Sequence, residues 1–299
     1  MRTQTFARLY MEEFGETVLF DEPMSRRTTF RAGGTVAAFI KPRTVEELSW
    51  LLENAREESV PVLVMGRGSN LLFTDGKHDL AVVCLTDLNR ITRQGSSLTA
   101  LAGCSLGSLA AYAAGEGLAG LEFASGIPGT VGGAVYMNAG AYGGEIKDVA
   151  VSVTVLREGG IAVLPAAECG FGYRRSVFQD TGDVVLSASV ALSPGEKGEI
   201  RARMAELNQR RNEKQPIDKP SAGSTFKRPQ GDYAARLIEA AGLKGLTVGG
   251  AQVSVKHAGF VINTGDATAS DILALMDEVQ KRVFDLSGIL LEPEVKIIR

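Results

Sequence analysis

Seven glycines fall within the 21 residues of ASGIPGTVGGAVYMNAGAYGG, residues 124–144. Glycine loses more conformational entropy on folding than other residues, so a chain concentrates it where a Cβ does not fit or where φ is positive. Two uses are common, namely tight turns and backbone that closes on a bulky polar ligand such as a phosphate. The segment therefore predicts either a succession of turns or a cradle for an anionic ligand.

A second glycine-rich loop, GRGSN at 66–70, directly follows the apolar run PVLVMG at 61–66, which predicts a buried strand. Its two glycines allow backbone N–H groups to converge, and Ser69 and Asn70 add short polar side chains. Taken alone, this loop fits an ordinary Asn turn equally well. Two such loops, each expected after a buried strand, favour a large cofactor that carries a diphosphate.

The longer glycine-rich segment also predicts a short helix. Pro128 fixes a turn, and Gly129 and Thr130 would begin the helix. Gly132 and Gly133 would then allow close packing or a ligand against the backbone. Because the free N–H groups and the dipole at a helix N-terminus favour anions, the start of this helix is a candidate phosphate contact.

Other nucleotide-binding and catalytic motifs are missing or misplaced in the sequence. GEGLAG at 115–120 matches GxGxxG, but its glycines follow a predicted helix rather than a strand, so they indicate a helix C-terminus and a turn. This argues against a Rossmann-type dinucleotide site. The sequence has no Walker lysine–serine pair and no GxSxG elbow, and its two histidines, His78 and His257, lack metal-ligand spacing. We therefore expect no P-loop, no serine hydrolase and no metal site.

Length, charge and cysteine content restrict the class of protein further. A chain of 299 residues favours two or three domains, and a net charge of −3 without a block of like charge argues against a nucleic-acid partner. The cysteines Cys84, Cys104 and Cys169 are far apart and odd in number, which predicts no disulfide framework and a reducing compartment. We see no signal-peptide pattern and no apolar run near the ~18 to 20 residues of a membrane span. We therefore expect a soluble, cytoplasmic protein without membrane insertion.

Alternating helix and strand signals predict an α+β protein. Thr44 is expected to cap a helix with Glu47 as its capping-box partner, and further helices are expected from Ser105 and Thr268. The other predicted elements are a hairpin at Gly159–Gly160, a charged helix at 199–214, a helix at 232–242, a strand at 251–263 and a last strand at 290–299.

Three polar side chains stand out by their surroundings. Arg174 lies in the glycine–aromatic loop FGYRRS, and Ser224 precedes the cations Lys227 and Arg228 in SAGSTFKRP. Glu294 alternates with apolar residues in LLEPEVKII. Each alone fits an ordinary explanation, namely a solvated arginine, a turn before a helix and the solvent face of a strand.

Six segments in the same order give the chain a strong resemblance to the UDP-N-acetylenolpyruvylglucosamine reductase family over nearly its whole length. The segments are TTFRAGG, GRGSN, SGIPGTVGGAVYMNAGAYGGE, GYRRS, PSAGSTFKRP and LEPEV. The resemblance implies a vanillyl-alcohol-oxidase-like FAD-binding fold in two subdomains, followed by a C-terminal α+β substrate domain. The implied division is 1–87 for FAD-binding subdomain 1, 88–197 for subdomain 2 and 198–287 for the substrate-binding domain, with the strand 288–299 returning to subdomain 1.

The resemblance also implies an activity in peptidoglycan precursor synthesis. NADPH would reduce bound FAD, which would then reduce UDP-N-acetylglucosamine enolpyruvate to UDP-N-acetylmuramate, with hydride added at C3 and a proton at C2. Arg174 and Glu294 would stabilise the enolate-like intermediate, with Glu294 contributing only when protonated, and Ser224 would protonate C2. Arg174, Lys214, Lys227 and Arg228 would bind the substrate. The expected partners are the sugar nucleotide and NADPH, without nucleic acid, and the oligomeric state is left open.

The implied FAD-binding residues lie in the two glycine-rich loops. The stretch between Gly144 and Gly172 has room for little beyond a hairpin, so the chain resembles the shorter form of the family, which lacks a tyrosine-bearing loop. The implied FAD-binding residues are Gly66, Arg67, Gly68, Ser69, Asn70, Leu71, Ser125, Gly126, Ile127, Pro128, Gly129, Thr130, Gly132, Gly133, Asn138, Gly140 and Ala141.

Two other functions stay open at the level of sequence. A different FAD oxidase or dehydrogenase could share the fold, since fold alone does not fix the substrate. The set of Arg174, Ser224 and Glu294 separates the two, because an oxidase has no need to protonate an enolate carbon. A non-catalytic nucleotide-binding module would bind a ligand without reducing a flavin.

Overall fold

The computed structural model describes residues 2–299 and confirms a mixture of helices and sheets. Its helices are α1 (Arg2–Phe14), α2 (Val45–Glu57), α3 (Leu106–Gly115), α4 (Val131–Tyr136), α5 (Phe178–Thr181), α6 (Lys197–Lys214), α7 (Ala234–Ala240) and α8 (Ala269–Ser287). Within the described residues, no helix combines the length and the apolar character needed to cross a membrane.

The strands are short at the loops that carry the glycine-rich motifs and longer in the central sheets. They are β1 (Leu19–Pro23), β2 (Thr35–Ile40), β3 (Val62–Met65), β4 (Leu71–Phe73), β5 (Lys77–Cys84), β6 (Ile91–Gln94), β7 (Ser97–Leu101), β8 (Leu118–Ala119), β9 (Gly140–Ala141), β10 (Gly144–Glu145), β11 (Ala150–Arg157), β12 (Gly160–Pro165), β13 (Val184–Ala191), β14 (Ser193–Pro194), β15 (Thr247–Val248), β16 (Ala251–Val253), β17 (Val261–Asn263) and β18 (Lys296–Ile298). One four-stranded sheet has the order β1-β2-β5-β3.

The chain divides into two compact units, each built from separate stretches of sequence. Unit 1 comprises Met1–Leu19, Ala38–Arg67 and Leu80–Arg211, and unit 2 comprises Phe20–Ala37, Gly68–Asp79 and Asn212–Arg299. The predicted division into two FAD-binding subdomains and a substrate domain has different bounds, since these units share the residues 1–87 between them. That division stays a prediction.

Unit 1 contains a five-stranded antiparallel sheet with the order β12-β11-β13-β7-β6. The hairpin predicted at Gly159–Gly160 is confirmed, since it joins β11 to β12 with Arg157 opposite Gly160. Helix α4, which comes from the glycine-rich segment, packs on β13 and β7. The sheet therefore gives that segment a rigid support. The buried face of the sheet includes Leu98, Ala100, Val153, Val155 and Ala188.

The predicted helix C-terminus in GEGLAG is confirmed. Helix α3 begins after its N-cap Ser105 and ends at Gly115. Gly117 and Gly120 then have φ values of 70° and 125°, which glycine adopts without steric cost. These glycines serve a turn rather than a dinucleotide.

Helix α2 shows one departure from its predicted capping box. Thr44 accepts a hydrogen bond from the Glu47 N–H at 3.2 Å, as predicted. The Glu47 carboxylate, however, accepts from the Arg43 N–H at 3.0 Å and from the Tyr10 hydroxyl at 2.6 Å. Burial, together with this carboxylate, raises the pKa of Tyr10 well above its usual range. Because α1 supplies a buried donor, Glu47 serves tertiary structure rather than completing its own helix start.

In unit 2, a three-stranded antiparallel sheet (β15-β16-β17) packs against α8, and β18 pairs in parallel with β4. Helix α8 begins with the predicted capping box of Thr268 and Asp271, so that prediction is confirmed. The apolar side chains of α8 that face the core recur at helical spacing. They are Ile272, Leu275, Met276, Val279 and Val283.

Two strands of unit 2 are shorter than predicted. The stretch 251–263 divides into β16 and β17, because the Ser254 hydroxyl accepts from the N–H groups of Lys256 and His257 and stabilises a turn between them. The final strand covers only Lys296–Ile298, and its residues lie opposite 71–73 of β4. The end of the chain therefore lies beside the strand that follows the loop GRGSN.

Asn263 connects separate segments of unit 2, and its removal gives our first prediction. It is 1% exposed, its Oδ1 accepts from Gly265 and Ala267, and its Nδ2 donates to the carbonyls of Phe30 and Arg31. We expect Asn263→Ala to lower the free energy of unfolding by about 3 kcal/mol, since buried partners left unpaired cost ~1 to 3 kcal/mol each. Denaturant unfolding of the cofactor-free protein measures this change.

Asn89→Ala provides the matched control, because Asn89 is exposed and donates only to the nearby Thr86 carbonyl. It should change the free energy of unfolding by less than about 0.5 kcal/mol. Equal effects of the two substitutions would contradict the structural role given to Asn263.

Candidate active site

Close packing or a positive φ explains six of the seven glycines in 124–144 without a ligand. A Cβ at Gly126, Gly132, Gly140 or Gly144 would come within 3.0 Å of other protein atoms, and Gly129 and Gly143 have φ values of 126° and 91°. Gly133 differs, since it lies in α4 and its Cβ would meet only Thr130 Oγ1, at 3.7 Å. The fold does not require glycine at 133, so this bare backbone is available to a ligand.

The N-terminus of α4 does not present the free N–H groups that we predicted. Thr130 is the N-cap and accepts from the Gly133 N–H at 3.4 Å. The N–H groups of Val131 and Gly132 donate to the carbonyls of Cys104 and Ala102 at 2.8 and 2.9 Å. The prediction that these N–H groups are free is therefore wrong, because the chain after β7 supplies carbonyls for two of them and the Thr130 hydroxyl accepts from the third. A contact of this helix start with a cofactor stays a prediction.

Within unit 1, the start of the first loop touches the second. A Cβ at Gly66 would overlap the side chain of Thr130, so this glycine permits close approach of the two loops. The first loop follows β3 as predicted. The second does not follow a strand, since Glu122–Ala124 forms a 3-10 turn just before it.

Arg211 of α6 reaches the second loop, although it is not among the predicted site residues. Its Nη1 donates to the Gly126 carbonyl at 2.5 Å, and its Nε is buried without a hydrogen-bond partner among the described residues. Burial lowers the pKa of this guanidinium. The ordinary pKa of arginine is so high that the group still stays charged. Asn208, one helical turn earlier, accepts from the Ser125 hydroxyl at 3.4 Å.

Arg174 occupies a strained position in a tight turn of unit 1. The Arg175 N–H donates to the Gly172 carbonyl at 3.2 Å, and Arg174 has a φ of 54°. A positive φ at the third residue of such a turn usually requires glycine, and an arginine there costs on the order of 1 kcal/mol or more. The guanidinium lies 5.1 Å from the centre of the Tyr173 ring, and Nη2 lies 3.4 Å from the Gly140 carbonyl. Strain of this kind concentrates at functional sites.

Asn138 ties the glycine-rich segment to the Arg174 turn. Its side chain is fully buried, donates to Gly172 O and Glu145 Oε2 at 2.9 Å each, and accepts from the Lys147 N–H at 3.0 Å. The side chain of Lys147 also donates to the Glu145 carboxylate. This hydrogen bond, the one from Asn138 and the nearby positive charge of Arg174 together lower the pKa of Glu145. The Asn138 amide is thus occupied by protein partners, and its direct contact with a cofactor stays a prediction.

Unit 2 brings Ser224, Glu294 and Asn70 together from distant parts of the sequence. The Glu294 N–H donates to the carbonyl of Thr225, the residue after Ser224, at 2.8 Å. Asn70 Nδ2 donates to the Glu294 carbonyl at 3.1 Å, and the Lys296 N–H donates to the Asn70 carbonyl at 3.0 Å. Ser224 is exposed and Glu294 is half-buried. The backbone next to Ser224, the backbone of Glu294 and Asn70 at the end of the loop GRGSN therefore lie side by side in this unit.

The predicted substrate-binding cations of unit 2 have different surroundings. Lys227 forms an ion pair with the exposed Glu292, and Arg228 stacks over the Tyr233 ring at 4.3 Å. Lys214 is exposed at the end of α6. The remaining predicted FAD-binding residues lie in the two loops or in the short strands that begin or end them: Arg67, Gly68, Ser69, Leu71, Ile127, Pro128 and Ala141. Among the described residues, no group of three or more His, Cys, Asp or Glu side chains could hold a metal ion.

Comparisons with known proteins assign the chain to a family. Residues 36–163 match the FAD binding domain, and residues 215–298 match the C-terminal domain of UDP-N-acetylenolpyruvoylglucosamine reductase. A UDP-N-acetylenolpyruvoylglucosamine reductase from Levilactobacillus brevis is 49% identical over 282 residues, which cover 94% of this chain and 93% of the relative. The chain belongs to the UDP-N-acetylenolpyruvoylglucosamine reductase family. A relative of the same name from Clostridioides difficile is 46% identical over 95% of this chain and 94% of its own length.

A solved structure of this reductase family agrees with the assignment. The UDP-N-acetylenolpyruvylglucosamine reductase from Thermus caldophilus superposes with a TM-score of 0.82 and 37% identity, covering 95% of this chain and 98% of the other. The predicted α+β fold class, an FAD-binding fold followed by a C-terminal domain, is confirmed. The chain is an FAD-dependent oxidoreductase of the reductase family.

Proposed function

We propose that the protein uses NADPH and FAD to reduce UDP-N-acetylglucosamine enolpyruvate to UDP-N-acetylmuramate, a step in peptidoglycan precursor synthesis. The observation that carries the proposal is the left-handed Arg174, a cation held at energetic cost beside Gly140 of the glycine-rich segment. Such a cation suits a reaction in which a carboxylate gains negative charge.

The residues of the glycine-rich loops fit an FAD cofactor. Gly133 presents bare backbone that the fold does not require, and the buried Nε of Arg211, at the same loop, has no hydrogen-bond partner among residues 2–299. A buried donor left unpaired costs ~1 to 3 kcal/mol, and an acceptor on a cofactor would offset that cost. When bound, FAD supplies a carrier that takes hydride from NADPH and passes it to the substrate.

In this proposal the division of the chain follows the family. Residues 1–87 and 88–197 form the two FAD-binding subdomains, and 198–287 form the substrate-binding domain. The strand 288–299 returns to subdomain 1, which the pairing of β18 with β4 supports. We place the enzyme in the cytoplasm, a compartment that keeps free cysteines reduced.

Arg174 and Glu294 stabilise the charge that develops during the reaction. Hydride addition at C3 of an unsaturated carboxylate moves negative charge onto its oxygens, and preorganised donors lower the barrier to this step. The planar guanidinium of Arg174 can donate two parallel hydrogen bonds to a carboxylate. Glu294 assists by donating its own proton, so it acts only while protonated.

Ser224 completes the reaction by donating a proton to C2. A hydroxyl is a weak acid, so this step depends on placement and on nearby positive charge. Lys214, Lys227 and Arg228 supply that charge and bind the diphosphate of the sugar nucleotide. NADPH reacts first and its product leaves, so the two substrates use the site in turn.

The product identifies the reaction directly. The purified protein, incubated with NADPH and UDP-N-acetylglucosamine enolpyruvate, should form UDP-N-acetylmuramate with one NADPH oxidised per sugar nucleotide, as measured by mass spectrometry and by NADPH absorbance. Oxidation of NADPH without a change in the sugar nucleotide would contradict the proposal and favour another oxidoreductase of the same fold.

Gly133→Ala tests whether FAD contacts the backbone at Gly133. We expect the cofactor-free protein to keep or slightly gain stability, because alanine favours a helix over glycine by ~0.5 to 1 kcal/mol. We expect FAD affinity to fall roughly 10-fold or more, since an added methyl against a tightly packed ligand costs ~1 to 3 kcal/mol. Thermal unfolding and a fluorescence titration with FAD measure the two effects.

Gly132→Ala in the same helix serves as the contrasting variant. Its Cβ would lie 2.9 Å from the Ala102 Cβ, so it should destabilise the cofactor-free protein itself. Unchanged FAD affinity in Gly133→Ala would show that FAD does not approach this residue.

A further inference from the structure

The Arg174 turn needs support from outside itself. Arg174 Nη2 lies 3.4 Å from the Gly140 carbonyl. The backbone of the turn sets the direction in which the side chain leaves the main chain, because the φ of 54° at Arg174 orients its Cα–Cβ bond. That backbone is in the left-handed region, which a residue other than glycine leaves readily unless its surroundings fix it.

The side chain of Gln179 supplies this support. Its Nε2 donates to the Arg174 carbonyl at 3.0 Å and to the Tyr136 carbonyl at 2.9 Å. Tyr136 is the last residue of α4, the helix that contains Gly133. The two hydrogens of one amide thus join the carbonyl of the strained arginine to the end of the helix that we propose contacts FAD.

A second contact fixes the same turn. Ser176 is fully buried, and its hydroxyl donates to the Tyr136 carbonyl at 2.7 Å. Asn138 donates to the carbonyl of Gly172, the first residue of the turn. Among these contacts only that of Gln179 reaches the backbone of Arg174 itself, so it bears on the arginine most directly.

We propose that Gln179 is a positioning residue for Arg174: it fixes the Arg174 carbonyl to the end of α4 and so sets the direction of the guanidinium during reduction of the substrate. This inference rests on the role given to Arg174 under the proposed function. Loss of the two hydrogen bonds from Gln179 should misplace the guanidinium without removing it.

Gln179→Met removes both donors while keeping the length of the side chain. We expect the reoxidation of reduced enzyme by the enolpyruvyl substrate to slow by about 10- to 100-fold, since small misplacement of a reacting group has effects of this size. Reduction by NADPH should change less than about 3-fold, and the effect should fall on kcat rather than KM, because the charge on the substrate grows only in the transition state. Stopped-flow absorbance of the holoenzyme measures each half-reaction.

Two further variants control for a general structural effect of the substitution. Gln94→Met makes the same change at an exposed strand residue and should leave both half-reactions unaltered. Gln179→Glu keeps the shape of the side chain but replaces the donor by an acceptor, so it should slow the same half-reaction. A rate of reoxidation unchanged in both Gln179 variants, or an equal slowing of both half-reactions, would overturn the proposal.

A double-mutant cycle separates this inference from the proposed function. In an Arg174→Lys background, Gln179→Met should slow reoxidation by less than about 3-fold, because the group that it positions is already missing. A further slowing as large as in the wild type would overturn the role of Gln179 while leaving that of Arg174 intact. If Arg174→Lys alone has no effect on reoxidation, the role of Arg174 fails and this inference fails with it.

Discussion

Ser224→Ala should leave the reduction of the flavin by NADPH intact and slow its reoxidation by the enolpyruvyl substrate about 10²- to 10⁴-fold, the usual contribution of a general acid. The reason is that Ser224 is proposed to act only after hydride has reached C3, when C2 needs a proton. Its hydroxyl is exposed, and its backbone neighbour Thr225 is held to Glu294 at 2.8 Å. Anaerobic stopped-flow absorbance of the flavin follows both half-reactions in one experiment.

Ser221→Ala is the matched control for this prediction. It removes a hydroxyl from the same loop and keeps the Ser221 carbonyl, which accepts from the Thr29 hydroxyl at 2.6 Å. Both half-reactions should keep their rates in this variant. Loss of flavin reduction in Ser224→Ala would instead make Ser224 a structural residue.

Arg174→Lys should slow reoxidation of the reduced flavin by about 10²- to 10³-fold, a loss typical of removing one preorganised donor. Lysine keeps the positive charge and does not relieve the positive φ of 54°. It loses the planar fork that donates two hydrogen bonds to a carboxylate. Rate constants from single turnovers, with reduction by NADPH measured in parallel, test this expectation.

Arg175→Lys makes the same change at the next residue. Arg175 is exposed and pairs with the exposed Asp180 at 2.8 Å, a contact typically worth less than about 1 kcal/mol. It should leave both half-reactions near their normal rates. Equal losses in the two lysine variants would assign the effect to the turn and not to the guanidinium of Arg174.

Local patterns in the sequence predicted many elements correctly because their stabilising contacts are local. The caps Thr44, Ser105, Thr130 and Thr268 each accept from an N–H three residues along the chain. The hairpin at Gly159–Gly160 likewise depends on nearby residues with positive φ. Such signals need no knowledge of the tertiary fold.

The errors arose where a distant segment supplied the partner. The N–H groups at the start of α4 donate to Ala102 and Cys104, and the Glu47 carboxylate accepts from Tyr10. No pattern within either helix reveals these partners. The same reason explains why most glycines of 124–144 serve close packing within the protein, whereas the sequence suggested a ligand for the segment as a whole.

The candidate site was predictable in its residue types more than in its geometry. Family resemblance pointed to Arg174, Ser224 and Glu294, and unit 2 does bring the Ser224 segment against Glu294. Arg211 and Gln179 were not predicted, because an arginine in a charged helix and a glutamine in the four-residue helix α5 have no distinctive sequence pattern. Only the buried Nε of the first and the paired carbonyl contacts of the second reveal them.

The most direct test of the account is the visible absorption spectrum of the purified protein under anaerobic conditions, recorded before and after NADPH and then after UDP-N-acetylglucosamine enolpyruvate. We expect a flavin spectrum that bleaches with NADPH and returns in full when the sugar nucleotide is added. Bleaching that the sugar nucleotide does not reverse would contradict the proposed reaction and leave a flavoenzyme with another substrate.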